Sequence, residues 1–172
     1  VTPVHKHGKA PNGVQSTHTD IWSRADNVPT QQVWLAPTAA RIHTIASTSA
    51  NDTTGGTGAN SVTIWYLATW STVEATEVVT GDLNAGIAMS NAAVMINRMK
   101  ITTPASSTSP NIGVITATAA TDTTITAVIA AGEGKTRQAI YGVPTGYTLL
   151  LHDYSASMND NNAQDRIDME LL

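Results

Sequence analysis

The residue types able to do chemistry fall in a few short stretches. GEGKT (Gly132 to Thr136) has the ending of a phosphate-binding loop. The full motif puts a glycine five residues before Gly134, where Ile129 stands, and a helix after it, where another strand-like run follows. The segment therefore reads as a turn. His5 and His7, two apart, place both rings on one side of an extended chain, and His18 follows. No cysteine or acidic cluster completes a site, and an extended stretch is a poor cage, so no metal is expected. His152, Asp153 and Ser155 lie together in HDYSAS, but neighbours on a strand face opposite sides and no Gly-x-Ser-x-Gly turn is present. They read as surface residues at a strand end. Paired carboxylates for glycoside hydrolysis stay open at this level. The acidic residues Asp52, Asp82, Asp122, Asp160 and Asp165 sit in turn-like sequence and suit Asx turns. SANDTTGG and MNDNNAQD offer oxygen ligands for a hard cation such as calcium, without EF-hand spacing. Asn51-Asp52-Thr53 fits a glycosylation acceptor, a motif short enough to arise by chance. Trp34, Trp65, Tyr66 and Trp70 could stack on sugar rings or fill a core or interface, and the second reading is favoured. No catalytic residue and no cofactor is expected, and the chain reads as a non-enzyme.

Composition narrows the classes. The 172 residues suit one domain, or one domain plus an extended arm. Net charge is −4 and the pI about 5.6, which does not neutralise a nucleic-acid backbone. Only 13% of residues are charged, yet 41% are hydrophobic, so the profile is not that of a disordered chain. Uncharged Thr, Ser and Asn carry the polarity. Such a surface suits coverage by neighbours better than life as a free monomer. The absence of cysteine removes a disulfide framework. No run of 18 apolar residues occurs, so no transmembrane helix and no membrane partner is expected. VTPVHKHGKAP has no apolar signal core and no Met, and RIDMELL ends on two leucines. These ends read as initiator removal or a longer product, and as truncation or a strand tied into the fold.

The elements that must position these residues are strands. Residues 1 to 30 carry three prolines and little periodicity and read as an extended arm. Ile21 and Trp22 are its large apolar pair, a candidate anchor in a partner's pocket; packing of Trp22 on this chain's own body is the equal alternative. From residue 31 to 172 strand signals recur: QQVWLA, RIHTIAS, SVTIWYLATW, EATEVVT, NIGVITATA, TTITAVIAA, RQAIYGV and YTLLLHDYS. In SVTIWYL, Val62, Ile64 and Tyr66 share one face and Trp65 and Leu67 the other, so coverage on both faces is expected, by the core and by a partner or arm. Leu83 to Lys100 is rich in Ala and Met; a strand over Ala93 to Thr102 is preferred to a helix. Pro144-Thr145-Gly146 reads as a type I turn with Pro second and Gly fourth. Short Thr-rich strands at regular spacing, with no amphipathic helix, predict an all-β fold, an antiparallel β-sandwich or jelly roll with an extended N-terminal arm.

An ordered set of phrases then resembles a group of tailed-bacteriophage virion structural proteins. They are HKHGKAP with DIW, STSANDTTGGTGA, SVTIWYL with a Glu-containing strand after it, INRMKI, and GEGKTRQAIYGVPTGYT. Together they span His5 to about Met158. The group's Gly-Leu-Asp-like turn after the second strand is replaced here by LATW. The resemblance implies a non-enzymatic virion component: a capsid cement or decoration protein, a head-to-tail connector or a fibre base. The expectation drawn from it is a cement protein on the phage head exterior. Its partners would be the major capsid protein and copies of itself, with Ile21 and Trp22 as arm anchors and Trp34, Trp65 and Trp70 as interface or platform aromatics. The alternative is a tail, fibre, receptor- or glycan-binding virion module.

Overall fold

The computed structural model describes residues 4–9, 20–22, 33–104 and 110–155. The chain is all-β in these residues, with no helix and two antiparallel sheets. The strands are β1 (His43–Ser47), β2 (Ala59–Leu67), β3 (Ala75–Thr80), β4 (Ile87–Ala88), β5 (Met95–Pro104), β6 (Ile115–Ala119) and β7 (Ile125–Ile129). One sheet has the order β4-β1-β6-β7 and the other β3-β2-β5. Alternation sets the faces. Ile45 of β1, Ile115 and Ala117 of β6, and Ala127 and Ile129 of β7 join Val62, Ile64, Tyr66, Val79, Met99 and Ile101 of the other sheet in one apolar core. These residues are the apolar half of each period-2 pattern, and their burial is the main stabilising contribution.

The core covers one face of β2, and the other face is covered only in part, by side chains of this chain. Val62, Ile64 and Tyr66 enter the core. A register shift in the β2–β5 pairing falls between Trp65 and Tyr66. Leu67 is buried in a second cluster with Val94 and Met95, against Trp34 and Ile140. Trp65 is half-buried beneath the Arg98 guanidinium, whose carbon lies 3.8 Å from the ring centroid. The preferred strand in the Ala- and Met-rich segment is β5, shifted two residues toward the C-terminus.

Three stretches with strand composition do not form strands. Val33 to Ala36, the described part of QQVWLA, has no ladder. RQAIYGV lies along the outer edge of β5, beginning at an isolated bridge between Lys100 and Lys135. Thr136 N donates to Met99 O at 2.9 Å, Ile101 N to Gly134 O at 2.8 Å, and Gly142 N to Asn97 Oδ1 at 2.8 Å. The segment covers the edge without completing a strand. YTLLLHDYS is extended, exposed and unpaired among the described residues. The turn before it differs by one position from the expected register. Tyr147 N donates to Pro144 O at 3.0 Å, and Gly146, at φ 85°, takes the third position that a type II turn reserves for glycine.

Asp52 is the main departure from the turn reading. Its side chain is fully buried. Oδ1 accepts from Ala59 N at 2.8 Å and Ile112 N at 2.9 Å; Oδ2 accepts from Gly113 N at 2.8 Å and Ser47 Oγ at 2.5 Å. Its backbone carbonyl accepts from Leu83 N at 3.0 Å. The polar loop after β1 is therefore a knot of four chain segments around one carboxylate. Close approach explains two of its glycines. A Cβ at Gly58 would sit 2.0 Å from Asp52 Oδ1, and one at Gly113 would sit 2.5 Å from Ser47 Oγ. With four donors on its oxygens, the Asp52 carboxylate is occupied as an internal acceptor and is not free to ligate the cation that SANDTTGG suggested.

The β6–β7 connection is anchored by charge. Thr38 N and Oγ1 donate to Asp122 at 2.9 Å each, and Arg41 Nε and Nη2 at 3.2 Å each. The Arg41 hydrogen bond, helped by Thr38, holds the Asp122 carboxyl below its ordinary range. Flanking Thr121 and Thr123 adopt left-handed φ values of 71° and 56°, unusual for β-branched residues.

Candidate functional site

Two features of the described surface stand out, and neither was singled out as a site by residue spacing. The first is a cleft of about 100 Å³ lined by His5, Lys6, His7, Arg98, Lys135, Thr136, Arg137 and Gln138. Three separate stretches build it. The extended residues 4–9 run over the 135–142 segment, with Lys9 N donating to Arg137 O at 3.1 Å. Alternation turns Lys6 inward, where Nζ donates to the Asn97 carbonyl, while His5 and His7 remain exposed. Arg98 comes from β5 and is aligned by stacking on Trp65. Gln138 is 2% exposed; its Nε2 donates to Ile96 O at 3.0 Å and Asn97 O at 3.2 Å. Its Oε1 is buried without a hydrogen-bond partner, a state that costs roughly 1–3 kcal/mol.

Electrostatics mark the same cleft. Burial pulls the Lys6 ammonium down to about 8; Glu74 opposes that shift and the Arg98 charge adds to it. Glu133 pairs with Lys9 at 3.2 Å and with Arg137. Among the described residues, no carboxylate forms a salt bridge with Lys6, Arg98 or Lys135.

The second feature is an apolar strip. Tyr147, Leu149, Leu150, Leu151 and Tyr154 are 46 to 71% exposed. In an extended chain, Tyr147, Leu149 and Leu151 face one way and Leu150 and Tyr154 the other. Thr148 to Ser155 make no hydrogen bond to another described residue. Val73 and Val78 are also exposed, beside and on β3, which ends its sheet.

The residues expected from sequence are dispersed. Trp22 is 1% exposed, packed on Val114 and Val128 with Trp34 and Ile140 alongside. It packs on this chain's own body, the second of the two placements that the sequence left open. Ile21 stays partly exposed, and its carbonyl accepts from Ala139 N at 2.8 Å. Trp34 is half-buried; Nε1 donates to Thr126 O at 2.9 Å, and its amide to Asp20 Oδ2 at 2.6 Å. Trp22 and Trp34 thus cover the outer face of β7. Trp70 is 43% exposed, and Trp65 lies under Arg98, so the tryptophans form no shared platform.

His152, Asp153 and Ser155 are exposed on the unpaired strip and make no hydrogen bond to one another. Gly132 and Gly134 take left-handed φ values of 75° and 68° in a turn, and only Lys135 and Thr136 of GEGKT reach the cleft. Among the described residues, no three His, Cys, Asp or Glu side chains gather to hold a metal ion, and no helix is long and apolar enough to cross a membrane. His18, most of residues 1–30, and residues 156–172 with Asp160 and Asp165 lie outside the described residues.

No family model, no curated protein and no solved structure matches the chain.

Proposed function

We propose that this chain is a non-enzymatic structural protein that works by being assembled, a β-sandwich of the jelly-roll type whose apolar strip docks on a second copy. The observation that carries the reading is the strip from Tyr147 to Tyr154. It holds five large apolar side chains, exposed on both faces of an extended segment that pairs with nothing described. Strands apolar on both faces are covered on both faces in a finished structure. The five side chains offer roughly 600 Å² per copy, so two copies approach the area of a specific interface. The outer edge of β3, with Val73 and Val78 exposed beside it, is an open strand edge of matching character.

Within that reading, the cement role on a phage head is the preferred one. It rests on the ordered phrases from HKHGKAP to GYT and on the low charge of the chain. A shell component made in many copies gains its hold from many modest contacts multiplied by symmetry. The major capsid protein and further copies of this chain would be its partners. The described part of the N-terminal arm contributes by tying residues 4–9 and 20–22 to the body. One observation favours the glycan-binding alternative, the exposed Trp70 ring.

Cryo-EM reconstruction of the particle carrying this chain tests the role. Density on the outer face of the head, with residues 147–154 buried between copies, is the expected result. Density confined to a tail or fibre tip, with Trp70 open to solvent, would overturn the cement role.

A further inference from the structure

We propose that the cleft under His5, Lys6 and His7 is an anion site that takes a single phosphate-type oxyanion. This goes beyond the assembly reading and does not depend on it. The chain has nine Lys and Arg residues and a net charge of −4. Four of those nine, Lys6, Arg98, Lys135 and Arg137, converge on one cleft, with His5 and His7 beside them. Like charges gathered this way repel one another, and a bound anion relieves that repulsion. Two acidic side chains lie nearby. Glu133 pairs with Lys9 and Arg137, and Glu74 accepts from Asn97 Nδ2 at 2.8 Å. Lys6 feels the Glu74 carboxylate without pairing to it, and Arg98 and Lys135 form no salt bridge among the described residues.

Size and hydrogen-bonding capacity select the ligand. With a volume of about 100 Å³, the cleft has room for one tetrahedral oxyanion. Ammonium and guanidinium groups donate strongly to phosphate oxygens. Burial and the neighbouring Arg98 charge depress Lys6, and an anion between them favours its protonated form.

Isothermal titration of the full chain at low salt tests the site, with inorganic phosphate and glucose 6-phosphate as probes. Inorganic phosphate is expected to bind at one site with a Kd of about 1 mM or tighter. Lys135→Gln and Arg98→Gln are each expected to weaken it at least about fivefold. Lys135 is exposed, so its variant keeps the wild-type thermal unfolding curve. If glucose 6-phosphate binds as well as inorganic phosphate, the natural source is a phosphate ester; if only inorganic phosphate binds, it is the free ion. No saturable binding, or a Kd unmoved in Lys135→Gln, would overturn the proposal.

Discussion

Asp52→Ala is expected to remove about 4 kcal/mol of folding free energy or more, the largest loss of any single substitution considered. Four donors converge on this buried carboxylate, three of them backbone amides that cannot turn away. Truncation leaves Ala59 N, Ile112 N, Gly113 N and Ser47 Oγ buried without an acceptor. Each orphaned donor costs roughly 1–3 kcal/mol, and breaking one side of a buried charged network costs about 3–5 kcal/mol. Against a total stability of about 5–15 kcal/mol, that loss leaves a substantial unfolded fraction. Asp52→Asn separates charge from shape. One oxygen still serves two amides, while the new NH₂ faces a donor at the other position. The Ser47 hydroxyl can rotate to accept, but the Gly113 amide cannot. A loss of about 2–3 kcal/mol is expected. Urea unfolding of the three proteins is the measurement. An alanine variant within about 1 kcal/mol of wild type would show that the knot does not hold the loops together.

The second large effect is a loss of stability in acid, traced to His43. The ring is fully buried at the start of β1; Nδ1 donates to Arg41 O at 3.0 Å, and Nε2 has no partner. Burial lowers its pKa below 6.5, against the smaller opposing effect of the Arg41 carbonyl. The sign follows from linkage. Below pH 6.5 the unfolded chain takes up a proton that the folded ring refuses, so the unfolded state binds more protons and stability falls with pH. This contribution is fully present above 6.5 and is lost as pH drops below it, by at most about 1.4 kcal/mol for each pH unit. His43→Leu is expected to flatten the fall between pH 6.5 and 5. The other described histidines, His5, His7 and His152, are exposed. An unchanged slope in the variant would place the acid sensitivity elsewhere.

Strand order along the chain was largely legible, and particular residues show why. In SVTIWYL and in the ITATA half of NIGVITATA apolar residues recur at every second position, and these became β2 and β6; RIHTIAS, with Ile42 and Ile45 three apart, became β1 on its β-branched composition. β-Propensity reports how well a side chain fits a pleated, half-buried surface, not whether a partner strand is at hand. So QQVWLA, RQAIYGV and YTLLLHDYS carry the same signal without a ladder. The Asp52 knot was hidden for a related reason. Ser, Asn, Asp and Gly build exposed turns and buried loop junctions alike. Only the approach of Ile112 and Gly113, sixty residues away in sequence, distinguishes the two. The basic cleft was equally illegible, because Lys6, Arg98, Lys135 and Arg137 come from three distant stretches. HKHGKAP, INRMKI and GEGKTRQ are each unremarkable alone, and their convergence is a property of the β5 edge.

The central claim is that the Tyr147–Tyr154 strip is a docking element between copies. Sedimentation equilibrium of the full chain, wild type beside Leu149→Asp and Leu150→Asp, tests it most directly. Both leucines are exposed, so neither substitution disturbs the core. Wild type is expected to associate in a concentration-dependent way, and each aspartate to weaken that association by roughly tenfold or more with unfolding midpoints unchanged. A wild-type chain that stays monomeric at every concentration, or variants that associate as strongly as wild type, would contradict it.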